Sequence, residues 1–260
     1  MIFLQILLLI VGFAMLIKGA DWFVDGAAGL ARKMGIPQLV IGLTIVAMGT
    51  SAPEAAVSIS AALQGTADIA IGNVVGSNIL NILIILGITA LIRPIKIQKS
   101  TLWIEIPFMI VITIILIFLG RSGSVVSLVE GIILLILFVA YLTYLFILSK
   151  KGNLQDEAEE EEEKKPIKNK VWFRIIMLVG GGIVIVLGSN ITVNAATAIA
   201  EAVHISERFI GLTIVALGTS LPELVTSVVA ARKGNADIAI GNIVGSNIFN
   251  ILFVIGLSSS

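Results

Sequence analysis

The chain has 260 residues, 57% of them hydrophobic and only 13% charged, with mean hydropathy +1.07 and a formal net charge of zero. A soluble domain carries about 25% charged residues, so this composition excludes a soluble protein and makes the lipid bilayer the first partner; nothing calls for a nucleic acid. Cysteine is absent and histidine occurs once, as His204, which excludes disulfides, thiolate centres and a multi-histidine zinc or haem site, and no cofactor is expected.

Apolar runs of about 20 residues mark membrane-spanning helices. They are expected near 2–31, 38–63, 69–92, 101–120, 125–148, 172–200, 208–231 and 237–257, an all-α integral membrane protein. The first run lacks the basic flank of a signal peptide, and an internal counterpart begins near Val171. Between the fifth and sixth runs lies the segment 149–170, with Asp156, Glu157 and the acids of 159–163 flanked by lysines, which reads as a solvated linker. Of the seventeen Lys and Arg residues, fourteen fall on the side that carries this linker. Only Arg121 and Arg208 fall on the other, and Lys18 lies within the first run. By the positive-inside rule the linker is cytoplasmic and the N-terminus outside, in a multi-pass protein of the plasma membrane.

The stretch 42–83 recurs as 211–252, identical at 30 of 42 positions with a constant offset of 169 residues. Five spans separate each element from its copy. An odd number makes the copies enter the membrane from opposite faces, the inverted-topology repeat of secondary transporters. The first repeat is expected over 1–148, with its duplicated core at about 39–91. The second is expected over 171–260, with its core at about 208–260, so the helices divide five plus three. The second half shows no counterparts of 101–120 and 125–148 before Ser260, so either a shortened chain or completion by association is expected. Upstream, Gly19-Ala20-Asp21 answers Gly188-Ser189-Asn190, and Asp25 answers Asn194.

Two motifs carry chemistry. In Gly49-Thr50-Ser51-Ala52-Pro53-Glu54 and its copy Gly218-Thr219-Ser220-Leu221-Pro222-Glu223, a proline interrupts the helix and frees the carbonyl four residues back, Gly49 and Gly218. Freed carbonyls at membrane depth survive only where they are satisfied again or line a polar cavity. Thr50 and Glu54 stand one turn apart on one face. In Gly76-Ser77-Asn78-Ile79-Leu80-Asn81 and Gly245-Ser246-Asn247-Ile248-Phe249-Asn250, the pairs Ser77/Asn81 and Ser246/Asn250 have the same spacing. If the four segments converge, oxygens of two Thr, two Glu, two Ser and two Asn surround one point, a donor set suited to a hard cation. A mid-membrane acid costs at least about 2.5–3.5 kcal/mol and marks an ion path, and Glu54 and Glu223 do so at matched positions. The glycines read mainly as helix-packing residues, while Asp68 and Asp237 read as helix N-terminal acids. Asp21 and Asp25 are placed near the cytoplasmic end of the first span, and His204 in a solvated loop.

At these motifs the chain resembles the cation/Ca²⁺ exchanger superfamily, most closely the small prokaryotic sodium/calcium exchangers. That family has five plus five helices and two repeats of the form G(T/S)S-x-P-E and G-S-N-x-x-(N/D). The resemblance implies ion ligation by Thr50, Ser51, Glu54, Ser77 and Asn81 and by Thr219, Ser220, Glu223, Ser246 and Asn250, with backbone carbonyls near Ala47 and Ala216. Some members carry Asp where this chain has Asn81 or Asn250. The implied activity is secondary antiport of Na⁺ against Ca²⁺ by alternating access, with the first and sixth spans sliding across the core, rather than enzymatic turnover. A Ca²⁺/H⁺ antiporter and a K⁺-dependent Na⁺/Ca²⁺ exchanger use the same glutamates and stay open as alternatives.

Overall fold

The computed structural model describes residues 2–95, 97–122, 126–151, 170–206, 213–214 and 216–259, and among them every regular element is helical. The elements are α1 (Ile2–Met34), α2 (Gln38–Thr50), α3 (Ala52–Leu63), α4 (Asp68–Ile92), α5 (Thr101–Leu119), α6 (Leu128–Lys150), α7 (Val171–Ala202), α8 (Ala216–Thr219), α9 (Leu221–Arg232) and α10 (Ala236–Ser258). Six of these are long and apolar enough to cross a membrane unbroken, and α2 with α3, bent by 52° at the break, counts as a seventh when the pair is taken as one span. Helices thus stand at seven of the eight expected runs. The remaining one, near 208–231, lies partly outside the described residues, which take it up again at α8 and α9. The acidic segment 152–169 also lies outside them.

Close backbone approach organises the bundle. α1 and α7 lie against each other along their length, with Gly12 opposite Thr192 and Gly188, Gly19 opposite Gly181 and Ile185, and Gly26 opposite Leu178. The α1 glycines recur every seven residues, the spacing that keeps one narrow stripe in contact. A methyl group at Gly26 would sit 2.5 Å from the Leu178 backbone nitrogen, so no larger residue fits. The second contact of this kind is between α2 and α10, where Gly42 faces Gly241, and Gly245 faces Leu43 and Ala47.

The duplicated segments fold alike but are covered differently. In α10 every residue from Ile238 to Phe249 is buried, because α2 lies on one side and α5 and α6 supply an aromatic and aliphatic cover that includes Phe138 against Phe249. In the equivalent stretch of α4 only Ala70, Val74 and Ser77 reach comparable burial, while Ile69, Val75 and Ile79 are exposed. Both helices widen into a π-turn at the same place, Asn81–Ile85 and Asn250–Val254. Such turns re-aim side chains and recur at functional sites. The turns before α4 and α10 use Gly65 (φ 75°) and Gly234 (φ 84°), a backbone region open to glycine. Asp68 and Asp237 occupy first turns as expected, and His204 is an exposed turn residue after α7.

This difference in cover makes a prediction about two equivalent residues. A methyl group at Gly241 would meet Gly42 Cα, Leu39 O and Leu43 N, each at 2.8 Å, whereas one at Gly72 meets nothing within 4 Å. Gly241→Ala is expected to cost about 1–3 kcal/mol through overpacking. Gly72→Ala should be neutral or add up to about 1 kcal/mol from helix propensity. Thermal midpoints in detergent check the pair.

Candidate cation site

Each glutamate sits where a broken helix restarts. Ser51 leaves helical geometry (φ −81°, ψ 6°) and α3 begins at Ala52 with Pro53 in its first positions and Glu54 in its first turn. Ser220 does the same (φ −90°, ψ 1°) before Pro222 and Glu223 of α9. Helix N-termini carry positive dipole ends and unpaired N–H groups, which suit a carboxylate. Both glutamates are completely buried. The freed carbonyl of Gly218 accepts a hydrogen bond from Ser189 Oγ at 2.8 Å, so α7 satisfies it.

Hydrogen bonds cross between the two copies. Ser51 Oγ donates to Glu223 Oε1 at 2.7 Å and Ser220 Oγ to Glu54 Oε1 at 3.3 Å. Ser77 Oγ donates to Glu54 Oε1 at 3.4 Å and lies 3.2 Å from Ser220 Oγ. Thr50 Oγ1 donates to Asn242 Oδ1 at 2.9 Å. The asparagines cross as well, Asn81 Nδ2 to Asn247 Oδ1 at 2.9 Å and Asn250 Nδ2 to Asn78 Oδ1 at 3.1 Å. Behind the glutamates, Asn73 donates to Ser58 Oγ and the Glu54 carbonyl, and Asn242 donates to Ser227 Oγ and the Glu223 carbonyl, the same pair of contacts 169 residues apart.

Four oxygens of the expected ligands are left over. Glu54 Oε2, Glu223 Oε2, Asn81 Oδ1 and Asn250 Oδ1 are buried and accept no hydrogen bond from any protein group. All four are acceptors, so what fits them is a donor or a cation. No group of three or more His, Cys, Asp or Glu side chains occurs among the described residues. The two carboxylates are joined by serine hydroxyl oxygens, the donor chemistry of a hard cation.

The expected residues do not all converge equally. Thr50, Ser51, Glu54, Ser77, Asn81, Ser220, Glu223, Ser246 and Asn250 are all buried. Ser246 Oγ reaches only the Ala47 carbonyl, at 3.5 Å, a carbonyl that Thr50 Oγ1 also approaches at 3.2 Å. Thr219 is half-buried, donates to the Ala216 carbonyl at 3.2 Å and lines a crevice of about 390 Å³ with Pro53, Ser189, Asn190, Asn194 and Gly218. Sequence reasoning missed the supporting amides Asn73, Asn78, Asn242 and Asn247, although each recurs at the offset of 169. It also missed Glu105, a third fully buried acid, outside the duplicated stretch 42–83; Tyr144 OH donates to its Oε1 at 2.6 Å and ties α6 to α5.

Comparison with known proteins agrees with this architecture. The family model described as sodium/calcium exchanger protein matches residues 4–147 and 173–260. The inner membrane protein YrbG of Escherichia coli is 40% identical over 96% of this chain and 78% of its own length. The sodium/calcium exchanger MaX1 of Methanosarcina acetivorans is 35% identical over 99% of this chain and 83% of its own. A crystal form of the sodium-calcium exchanger NCX_Mj soaked with Na⁺ and Sr²⁺ superposes with a TM-score of 0.85 and 36% identity, covering 100% of this chain and 82% of that one. With a family model spanning nearly all of its length and a helical bundle that matches a membrane exchanger, the chain belongs to the sodium/calcium exchanger family, as a membrane antiporter of the cation/Ca²⁺ type and not an enzyme.

Proposed function

We propose that the chain exchanges Na⁺ for Ca²⁺ across the plasma membrane by alternating access, with both ions using one site between two inverted repeats, 1–148 and 171–260. The ligands are the carboxylates of Glu54 and Glu223, the amide oxygens of Asn81 and Asn250, the hydroxyls of Thr50, Ser51, Ser77, Thr219, Ser220 and Ser246, and the carbonyls of Ala47 and Ala216. The observation that carries this reading is the set of four buried acceptor oxygens with no donor. Two negative charges balance one Ca²⁺ or two Na⁺. Competition for the same oxygens then makes the two ions exclude one another, which couples their movements. The glycine-packed pair α1/α7 is the natural moving body, since the two helices lie against each other along their length. In this reading the N-terminus lies outside and the 149–170 linker is cytoplasmic, as the basic residues prescribe.

Reconstituted protein tests the coupling ion directly. An outward-directed Na⁺ gradient should drive Ca²⁺ uptake into proteoliposomes with pH clamped and K⁺ absent. Uptake that instead follows a proton gradient, or requires K⁺, would replace Na⁺/Ca²⁺ exchange with one of its two variants. Glu54→Gln and Glu223→Gln should each abolish Ca²⁺ transport, and retained flux in ⁴⁵Ca uptake would remove the site. Ser51→Ala removes one ligand hydroxyl together with the bond that orients Glu223. It is expected to weaken apparent Ca²⁺ affinity by at least about 10–100-fold, the loss typical of a partner that orients a ligand, with maximal rate less affected.

A further inference from the structure

The two sides of the bundle are closed to different extents, and residues related by the offset of 169 stand at both. Where α9 ends, Lys233 Nζ lies 2.7 Å from Asp21 Oδ1, 2.7 Å from Asp25 Oδ1 and 3.1 Å from the Asp21 carbonyl, fastening α1 of the α1/α7 pair to the core. Burial by itself lowers the Lys233 pKa, but the hydrogen bonds and charges of the two aspartates outweigh it and raise the value, so the ammonium stays charged. Asp21 and Asp25 are one turn apart on α1, so a single ammonium bridges both.

Shifting each residue by the offset leads to the other side. Lys233 answers Gln64 at the end of α3, Asp21 answers Asn190 and Asp25 answers Asn194, both on α7. There the contact is absent: among the described residues no hydrogen bond joins Gln64 to either asparagine. Two adjoining pockets lie there instead. One, about 420 Å³, is lined by Ala56, Ser60, Gln64 and Thr66; the next, about 390 Å³, by Ala56, Asn190, Asn194, Pro53 and Thr219. Ala56 and Val57 border both, so the pockets reach from Gln64 to the residues beside Glu54 and Ser220.

We infer that Lys233 with Asp21 and Asp25, and Gln64 with Asn190 and Asn194, are the two latches of one alternating movement, the charged latch shut and the amide latch open in this structure. The inference rests on the exchange reading and adds residues that bind no ion. When α1 and α7 slide together, the ion pair parts and Gln64 comes within reach of the two asparagine amides. The latches are chemically unequal although the repeats are nearly identical. The charged one is weakened by salt and the amide one is not, so the resting preference between the two faces depends on ionic strength.

Because the chain has no cysteine, a single Ala56→Cys reports on the crevice through its labelling rate with a membrane-impermeant maleimide. In intact proteoliposomes Lys233→Gln should slow this labelling by up to about fivefold, the change in the ratio of the two states that about 1 kcal/mol produces, within the range for a half-exposed ion pair. The swap Lys233→Asp with Asp25→Lys should return it towards the parent rate. Labelling left unchanged by Lys233→Gln overturns the latch. Absence of Na⁺-driven Ca²⁺ uptake by the Ala56→Cys parent would overturn the exchange reading instead, so the two failures are told apart in the same vesicles.

Discussion

Two carboxylates fully removed from water are the constraint around which the rest of the bundle is arranged. A buried charge is tolerable only when paired or ligated, and no lysine or arginine contacts Glu54 or Glu223 among the described residues. What the protein supplies is weaker and more easily exchanged: two helix N-termini created by the breaks at Ser51 and Ser220, and serine hydroxyls reaching across from the opposite copy. A fixed ammonium would neutralise the acids permanently. Dipoles and hydroxyls hold them in place and leave the compensating charge to come from outside, as a transporter requires.

Near-identical sequences end in unlike surroundings, and the difference has a physical source. α4 and α10 share their motif and their π-turn, yet of the two it is α10 that α5 and α6 cover. Gly72 and Gly76 therefore face open space while Gly241 and Gly245 touch the α2 backbone. The two copies match at the polar centre, where each contacts the other, and differ in what packs over their outer faces.

That division also explains how far the sequence could be read. Mean hydropathy and the length of the apolar runs gave the helices to within a few residues, because a bilayer admits few alternatives. The proline breaks were legible for the same reason, as the 52° bend between α2 and α3 shows. Glu54 and Glu223 stood out as repeated acids in apolar context; Glu105 has an equally apolar context but lies outside the duplicated stretch 42–83, so a criterion built on repetition passed over it. The asparagine network was hidden because Asn78 and Asn247 read as filler between Ser77 and Asn81 or Ser246 and Asn250; which amide meets which follows from helix crossing, not from spacing along one helix. The split between Thr50, bonded to Asn242, and the half-buried Thr219 was likewise invisible, since both stand in the same motif.

The polarity of the site follows from how its donors are used. A primary amide has two donor hydrogens and an acceptor oxygen, and a hydroxyl has one donor and two lone pairs. Asn81 and Asn250 direct their NH₂ groups to Asn247 and Asn78, Ser51 directs its proton to Glu223, and Thr50 its proton to Asn242. With these donors engaged by neighbours, four acceptor oxygens are left without a protein donor: one carboxylate oxygen of each glutamate and the amide oxygens of Asn81 and Asn250. Neutral residues thereby extend the negative field of the glutamates without adding charge of their own. An aspartate at position 81 or 250 would supply the same oxygen together with a third negative charge and no NH₂ to anchor it. Asparagine keeps the formal charge at two while both crossing bonds stay in place, so the geometry and the charge of the site are set by different atoms of the same side chain.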